Sequence, residues 1–258
     1  KLTKFKDMLD QTDDLPTRNE LINLNKDKKN EFIKKGNIYL ENNKKGIGNQ
    51  MSIFNTYKQK NSDYTNKEKF FEKNDLDLNK PLVVIMAHCF SDFPNYYGPA
   101  WYTDYVEWIS FTLKTISNIN SCNWTLKPHP AEIGLGNARL KKIFHEGVMP
   151  PNVKYWPDNA SSTETFEFAD IIITARGSST LLYGAEKKKV LAAEKSVYTQ
   201  FKVCNYVSSR EDYENKLKNI ELLIKNDFDF SDSDLVKMFF AISHFENKNE
   251  LSFPYGFL

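Results

Sequence analysis

Three short stretches of the chain combine reactive or anion-binding side chains with residues that shape the backbone. The first is Lys127–Glu132, KPHPAE, directly after NWTLK. Pro128 and Pro130 flank His129 and stiffen the chain on both sides of it. An imidazole held there can donate to a phosphate oxygen, with the Lys127 ammonium adding charge. The second is Thr174–Thr180, TARGSST, after DIIITA. Gly177 lets a ligand approach the backbone closely. Ser178, Ser179 and Thr180 can cap the next helix and aim its free N–H groups at an anion, and Arg176 can add a bidentate contact to phosphate or carboxylate. A serine N-cap alone is common; the weight comes from finding it one strand–helix unit beyond the His–Pro loop.

The third stretch, Ala87–Trp108, begins AHCFSDFPN. His88 and Asp92 lie four residues apart at a strand end and are, with His129, the acid–base candidates. Asp104 and Glu107 follow at a helix start, where capping is the plainer role. The aromatics between Phe90 and Tyr102 serve either as core or as a stacking surface for a sugar or base. Glu186 can accept two ribose hydroxyls, or simply end a solvated helix. Cys89 and His88 are adjacent and so point to opposite faces of an extended chain, which argues against a nucleophilic pair. His145 and His244 read as helix-surface residues. No spacing suggests a metal site, and neither GxxxxGK[ST] nor GxGxxG is present.

These residues need elements to hold them. PLVVIMA (81–87), NWTLK (123–127), VKYW (153–156), DIIITA (170–175) and VLAA (190–193) read as strands, several of them apolar throughout and so buried on both sides. Helices are expected over 101–118, 136–146, 163–169, 177–187, 210–226 and 231–246. Strands alternating with helices at this spacing imply an α/β fold: a Rossmann-like parallel sheet of about five strands with helices on both faces. Ligands of such sheets bind outside the carboxyl ends of the strands, where all three stretches fall. Residues 1–79 read as a mainly helical or irregular N-terminal region or linker, with helices at 19–35 and 65–73 around a polar segment containing Gly36, Gly46 and Gly48. Residues 80–258 read as the Rossmann-like domain.

Composition narrows the function. Of 258 residues, 35 are Lys or Arg and 34 Asp or Glu, a net charge of +1 that gives no reason to expect nucleic-acid binding. No apolar run approaches the roughly 18 residues of a membrane span, and the polar start is no signal peptide. Cys89, Cys122 and Cys204 match no disulfide framework, so a cytoplasmic setting is the expectation. Only four basic residues are Arg, which makes Arg176 in a motif more informative. The chain starts at Lys1, which reads as trimming.

Taken together, HCFSDFPN after a buried strand, the YTDYVEW helix start, NWTLKPHPAE and ADIIITARGSSTLLYGAE resemble bacterial capsular and surface polysaccharide glycosyltransferases of the GT-B type, the group that includes Kdo transferases. Similar His–Pro and Ser-rich motifs occur in bacterial sialyltransferases and CDP-glycerol-dependent polymerases. The resemblance covers about residues 68–226. It implies the C-terminal, nucleotide-sugar-binding half of a GT-B fold and a CMP- or CDP-linked donor without metal or other cofactor. It further implies donor phosphate contacts from Lys127 and His129, phosphate or sugar-carboxylate contacts from Arg176, Gly177, Ser178, Ser179 and Thr180, and ribose contacts from Glu186. The acceptor would be a saccharide or lipid-linked saccharide, reached at the inner face of the membrane; a net +4 over residues 1–80 is slight support for that. GT-B enzymes carry an acceptor domain ahead of this half, and residues 1–79 do not read as one. A CDP-polyol phosphotransferase and a non-catalytic nucleotide-binding scaffold are the alternatives.

Overall fold

The computed structural model describes residues 15–44, 64–90, 101–129, 139–145, 147–160 and 162–246. Its centre is a six-stranded sheet of β1 Leu82–Met86, β2 Asn123–Lys127, β3 Val153–Tyr155, β4 Ile171–Thr174, β5 Val190–Ala192 and β6 Asn205–Tyr206. The strand order is β3-β2-β1-β4-β5-β6 and every pairing is parallel. This is the doubly wound order of a Rossmann-like sheet. β1 lies at the centre, with Val84 opposite Thr125 of β2 on one side and Ile172 of β4 on the other.

The apolar runs form strands because both of their faces are covered. Val83, Ile85, Ile171 and Ile173 face a layer built from α4 (Tyr105–Ile116), α8 (Arg210–Lys218) and α9 (Ile220–Lys225). Leu82 and Val84 face the other side, with Phe70 and Phe71 of α3 (Lys67–Lys73), Trp156, and Phe168 of α6 (Ser162–Phe168). The two fully buried phenylalanines of α3 each contribute about 1.5–3 kcal/mol by leaving water. α4 starts where Asp104 accepts the Glu107 N–H at 2.7 Å, and presents Trp108, Ile109, Leu113 and Ile116 to the sheet. Tyr213 of α8 joins it through its hydroxyl, 3.2 Å from Trp108 Nε1 and 2.9 Å from Thr112 Oγ1. Helices α5 (Arg139–Ile143), α7 (Ser179–Ala185) and α10 (Ser233–Ala241) complete the layers. No helix among the described residues is long and apolar enough to cross a membrane.

Several boundaries differ from the sequence reading. A sixth strand, β6, is present; two residues are too few to show a period. The helix expected over 210–226 is two, parted at Asn219. The N-terminal helix is also two, α1 (Arg18–Asn23) and α2 (Lys26–Lys44), and the second runs straight through Gly36. Packing explains that glycine. α2 crosses α10 so closely that a Cβ on Gly36 would lie 2.1 Å from the Lys237 carbonyl oxygen. Leu21 and Leu40 pack there with Val236, Phe239 and Phe240. Arg18 adds a bidentate pair to Asp232, at 2.6 and 2.9 Å. The described part of residues 1–79 therefore packs against the sheet and its helices.

Gly36→Ala tests this crossing. In an open helix the change would stabilise by about 0.5–1 kcal/mol. Here the backbones must part, so a loss of about 1–3 kcal/mol is expected, read as a lower urea midpoint.

Candidate functional site

Chain direction places the site. From β1 the chain crosses through α4 to β2 on one side, and from β4 through α7 to β5 on the other. A crevice opens where the two directions part, at the carboxyl ends of β1 and β4. His88 leaves β1 there, and Thr174, Arg176, Gly177 and Ser179 leave β4.

His88 is half-buried and held from several sides. Its ring stacks on Tyr105 at 4.3 Å and meets the edge of Trp108 at 6.1 Å. Its Nε2 lies 3.2 Å from Thr174 Oγ1 and 3.5 Å from the Arg176 amide. A Cβ on Gly177 would come 2.8 Å from His88 Cε1, so only glycine leaves room for the ring. Desolvation pushes its pKa down to about 3, helped by the fields of His129 and Arg176. His129, just past β2, is pushed down to about 4 by the same desolvation. The two histidines leave the carboxyl ends of adjacent strands, where Met86 of β1 pairs with Lys127 of β2. Both rings are neutral at pH 7, so each offers one N–H and one lone pair.

Ser179 joins them, donating to Thr174 Oγ1 at 3.3 Å. Ser178 makes no side-chain cap, contrary to expectation: its backbone is already helical, which turns the hydroxyl away from the first amides. Thr180 is buried and donates to the Gly177 carbonyl at 2.9 Å, closing the turn from within.

Arg176 requires a correction. Instead of presenting a fork to a ligand, its guanidinium is 1% exposed and paired with Glu194, Nε at 2.7 Å and Nη2 at 2.5 Å. A buried cation requires a fixed anion, and this one spends the guanidinium's strongest contact. Glu194, just beyond β5, also accepts the Tyr102 amide at 3.1 Å. Desolvation raises the Glu194 pKa and Arg176 opposes the rise.

Lys127 and Glu186 are also placed differently from the expectation. Alternation along β2 sends Trp124 and Leu126 to the α4 side and Lys127 to the α6 side. There the ammonium donates to Thr165 Oγ1 at 2.6 Å, 5.0 Å from the Trp156 ring centroid, and burial draws its pKa down to about 8. Glu186 ends α7, about 10 Å of helix from the serine turn, and pairs with Lys44 of α2 at 2.6 Å. Asp104 and Glu107 are used locally, as a cap and as the acceptor of Thr103 and Arg210. His244 is not a helix-surface residue: it stacks on Tyr39 at 4.3 Å, and burial draws its pKa down to about 4. Asp92 and the Pro130–Glu132 part of the His–Pro loop lie outside the described residues.

Sequence reasoning gave no site role to Thr174, Tyr105 or Glu194. Glu194 left a trace, as the first charge after the buried VLAA run.

No protein-family pattern matches the chain, and no curated protein matches it in sequence. Solved structures similar to it include the β-Kdo 2,4-transferase of Thermosulfurimonas dismutans KpsC, at 12% identity and TM-score 0.48 over 82% of this chain and 55% of that one. A glycosyltransferase from Rickettsia africae has 14% identity and TM-score 0.45, over 74% and 50%. The wall teichoic acid polymerase TagF has 13% and 0.42, over 67% and 42%. The chain thus spans about half the length of the structures it matches. TM-scores below 0.5 leave its strand order as the ground for the fold.

Two measurements follow. Glu194→Gln strands a buried guanidinium and should cost about 3–5 kcal/mol in urea unfolding, most of it recovered in Glu194→Gln/Arg176→Met. The neutral histidines fix a sign with pH. Unfolded, they bind protons from about 6.5 downward; folded, His88 and His129 wait until about 3 and 4. Stability therefore falls as pH drops from 6.5 toward 4, and His129→Gln should flatten the slope of urea midpoint against pH. Glu194, with its raised pKa, has the opposite sign and acts only where it begins to bind a proton.

Proposed function

We propose that this chain is the nucleotide-sugar-binding half of a GT-B glycosyltransferase of capsule or lipopolysaccharide synthesis. Its donor is a cytidine-activated sugar, such as a CMP-linked acidic sugar. The observation that carries the reading is His88 set against the Thr174–Gly177–Ser179 turn at the β1/β4 crevice, with His129 at the adjacent end of β2.

In transfer, the bond between the anomeric carbon and the donor phosphate breaks and its electron pair stays on the phosphate. An acceptor hydroxyl forms the new bond and gives up its proton to a base. The chain's part is to meet charge growing on the leaving phosphate. Imidazole N–H donors do so at little cost of reorganisation, because the ring packing sets their direction beforehand. A bound dianion also raises the pKa of a neighbouring imidazole, so His129 can take up a proton as the phosphate leaves. We assign no role to a metal. Asp92, four residues beyond His88, is the base that the sequence offers. The acceptor is a saccharide or lipid-linked saccharide met at the cytoplasmic face of the membrane.

Calorimetric titration of wild type and His129→Ala with CMP, CDP, UMP, UDP, GDP and ADP tests the reading. CMP or CDP should bind best and lose about tenfold or more in the variant, the value of one hydrogen bond to a charged group. Preference for UDP or GDP keeps a glycosyltransferase and discards the cytidine donor. If no nucleotide binds, the donor-half reading fails for this chain. Product analysis separates sugar transfer from CDP-polyol phosphotransfer, in which phosphate travels with the transferred group.

A further inference from the structure

The turn after β4 decides which nitrogen of His88 carries its proton. The Arg176 amide reaches His88 Nε2 at a long 3.5 Å, and a backbone N–H can only donate, so Nε2 presents a lone pair. The Thr174 hydroxyl lies 3.2 Å from the same nitrogen. It accepts the Ser179 hydroxyl at 3.3 Å, which leaves its own hydrogen for Nε2. Two donors thus converge on one ring nitrogen. A neutral imidazole with an accepting Nε2 has its N–H at Nδ1.

The ring is not free to exchange the two nitrogens. Tyr105 covers one face, the Trp108 edge approaches, and Gly177 admits Cε1 with no room for a methyl group. Among the described residues nothing bonds to Nδ1.

We propose that the Ser179–Thr174 hydroxyl chain and the Arg176 amide lock His88 as the Nδ1–H tautomer, making it a hydrogen-bond donor to an anionic phosphate oxygen of the ligand. It is then not the general base its place at a strand end suggests. The identity of the ligand rests on the donor-site reading above; the tautomer does not. The same contacts make Thr174 and Ser179 positioning residues that act through His88.

Nitrogen-15 two-bond correlation spectra near neutral pH read the protonated nitrogen directly, and the His88 signals are those missing from His88→Asn. A protonated Nδ1 and a bare Nε2 are expected; a protonated Nε2, or an even mixture, overturns the assignment. Titration with CMP then tests the donor role. An Asn amide nitrogen stands near the place of Nδ1 and a Gln amide nitrogen near that of Nε2. His88→Gln should therefore bind CMP about tenfold more weakly than His88→Asn. Equal affinities overturn the donor role even with the tautomer intact. Wild type that binds no CMP removes the cytidine reading and the donor role with it, while the spectrum still decides the tautomer.

Discussion

The Arg176–Glu194 pair is the constraint around which the crevice is built. It lies wholly inside the protein, where removing either ion from water costs several kcal/mol that attraction alone need not return. What the pair achieves is connection. Arg176 belongs to the loop after β4, and Glu194 to the loop after β5. The Tyr102 amide that Glu194 also accepts belongs to the approach to α4. Three loops from separate strand–helix units are thus held at one point. Because the Arg176 side chain is anchored, its backbone amide is fixed as well, and that amide is one of the groups that orient His88.

On the proposed function, the arrangement would assemble a site for anions from groups that are uncharged at rest. A cationic crevice would attract any phosphate and would need counter-charges. Here the cation is already neutralised by Glu194, Lys127 is turned to the opposite face of the sheet, and the two histidines are held neutral by desolvation. Recognition of the proposed donor would then depend on directed N–H and O–H groups more than on field strength, which favours shape over charge alone.

Much of this was legible in the chain, for physical reasons. LVVIM and IIIT are apolar without interruption, which only a sheet covered on both faces tolerates, and alternating helices then require parallel strands. Asp104 in front of an apolar stripe announced α4, and His129 between two prolines announced a held side chain. What could not be read depended on partners distant in sequence. Arg176 next to Gly177 looks like a ligand contact until Glu194 is placed beside it, 18 residues on. Lys127 looked like part of the His–Pro loop, but strand alternation sends it to the α6 layer. Glu186 was given the ribose by its chemistry and by the resemblance, while its pairing with Lys44 depends on a helix 142 residues earlier. Gly36 looked like a break because its compensation, the close crossing of α10, lies 200 residues away.

The outermost strands of the sheet are short: β6 has two residues and β3 three. An unpaired strand edge is a template on which a foreign strand can extend a sheet, and its hold grows with the number of backbone bonds on offer. Edges this brief offer few. Crowding then carries little risk of turning the sheet into a seed for aggregation.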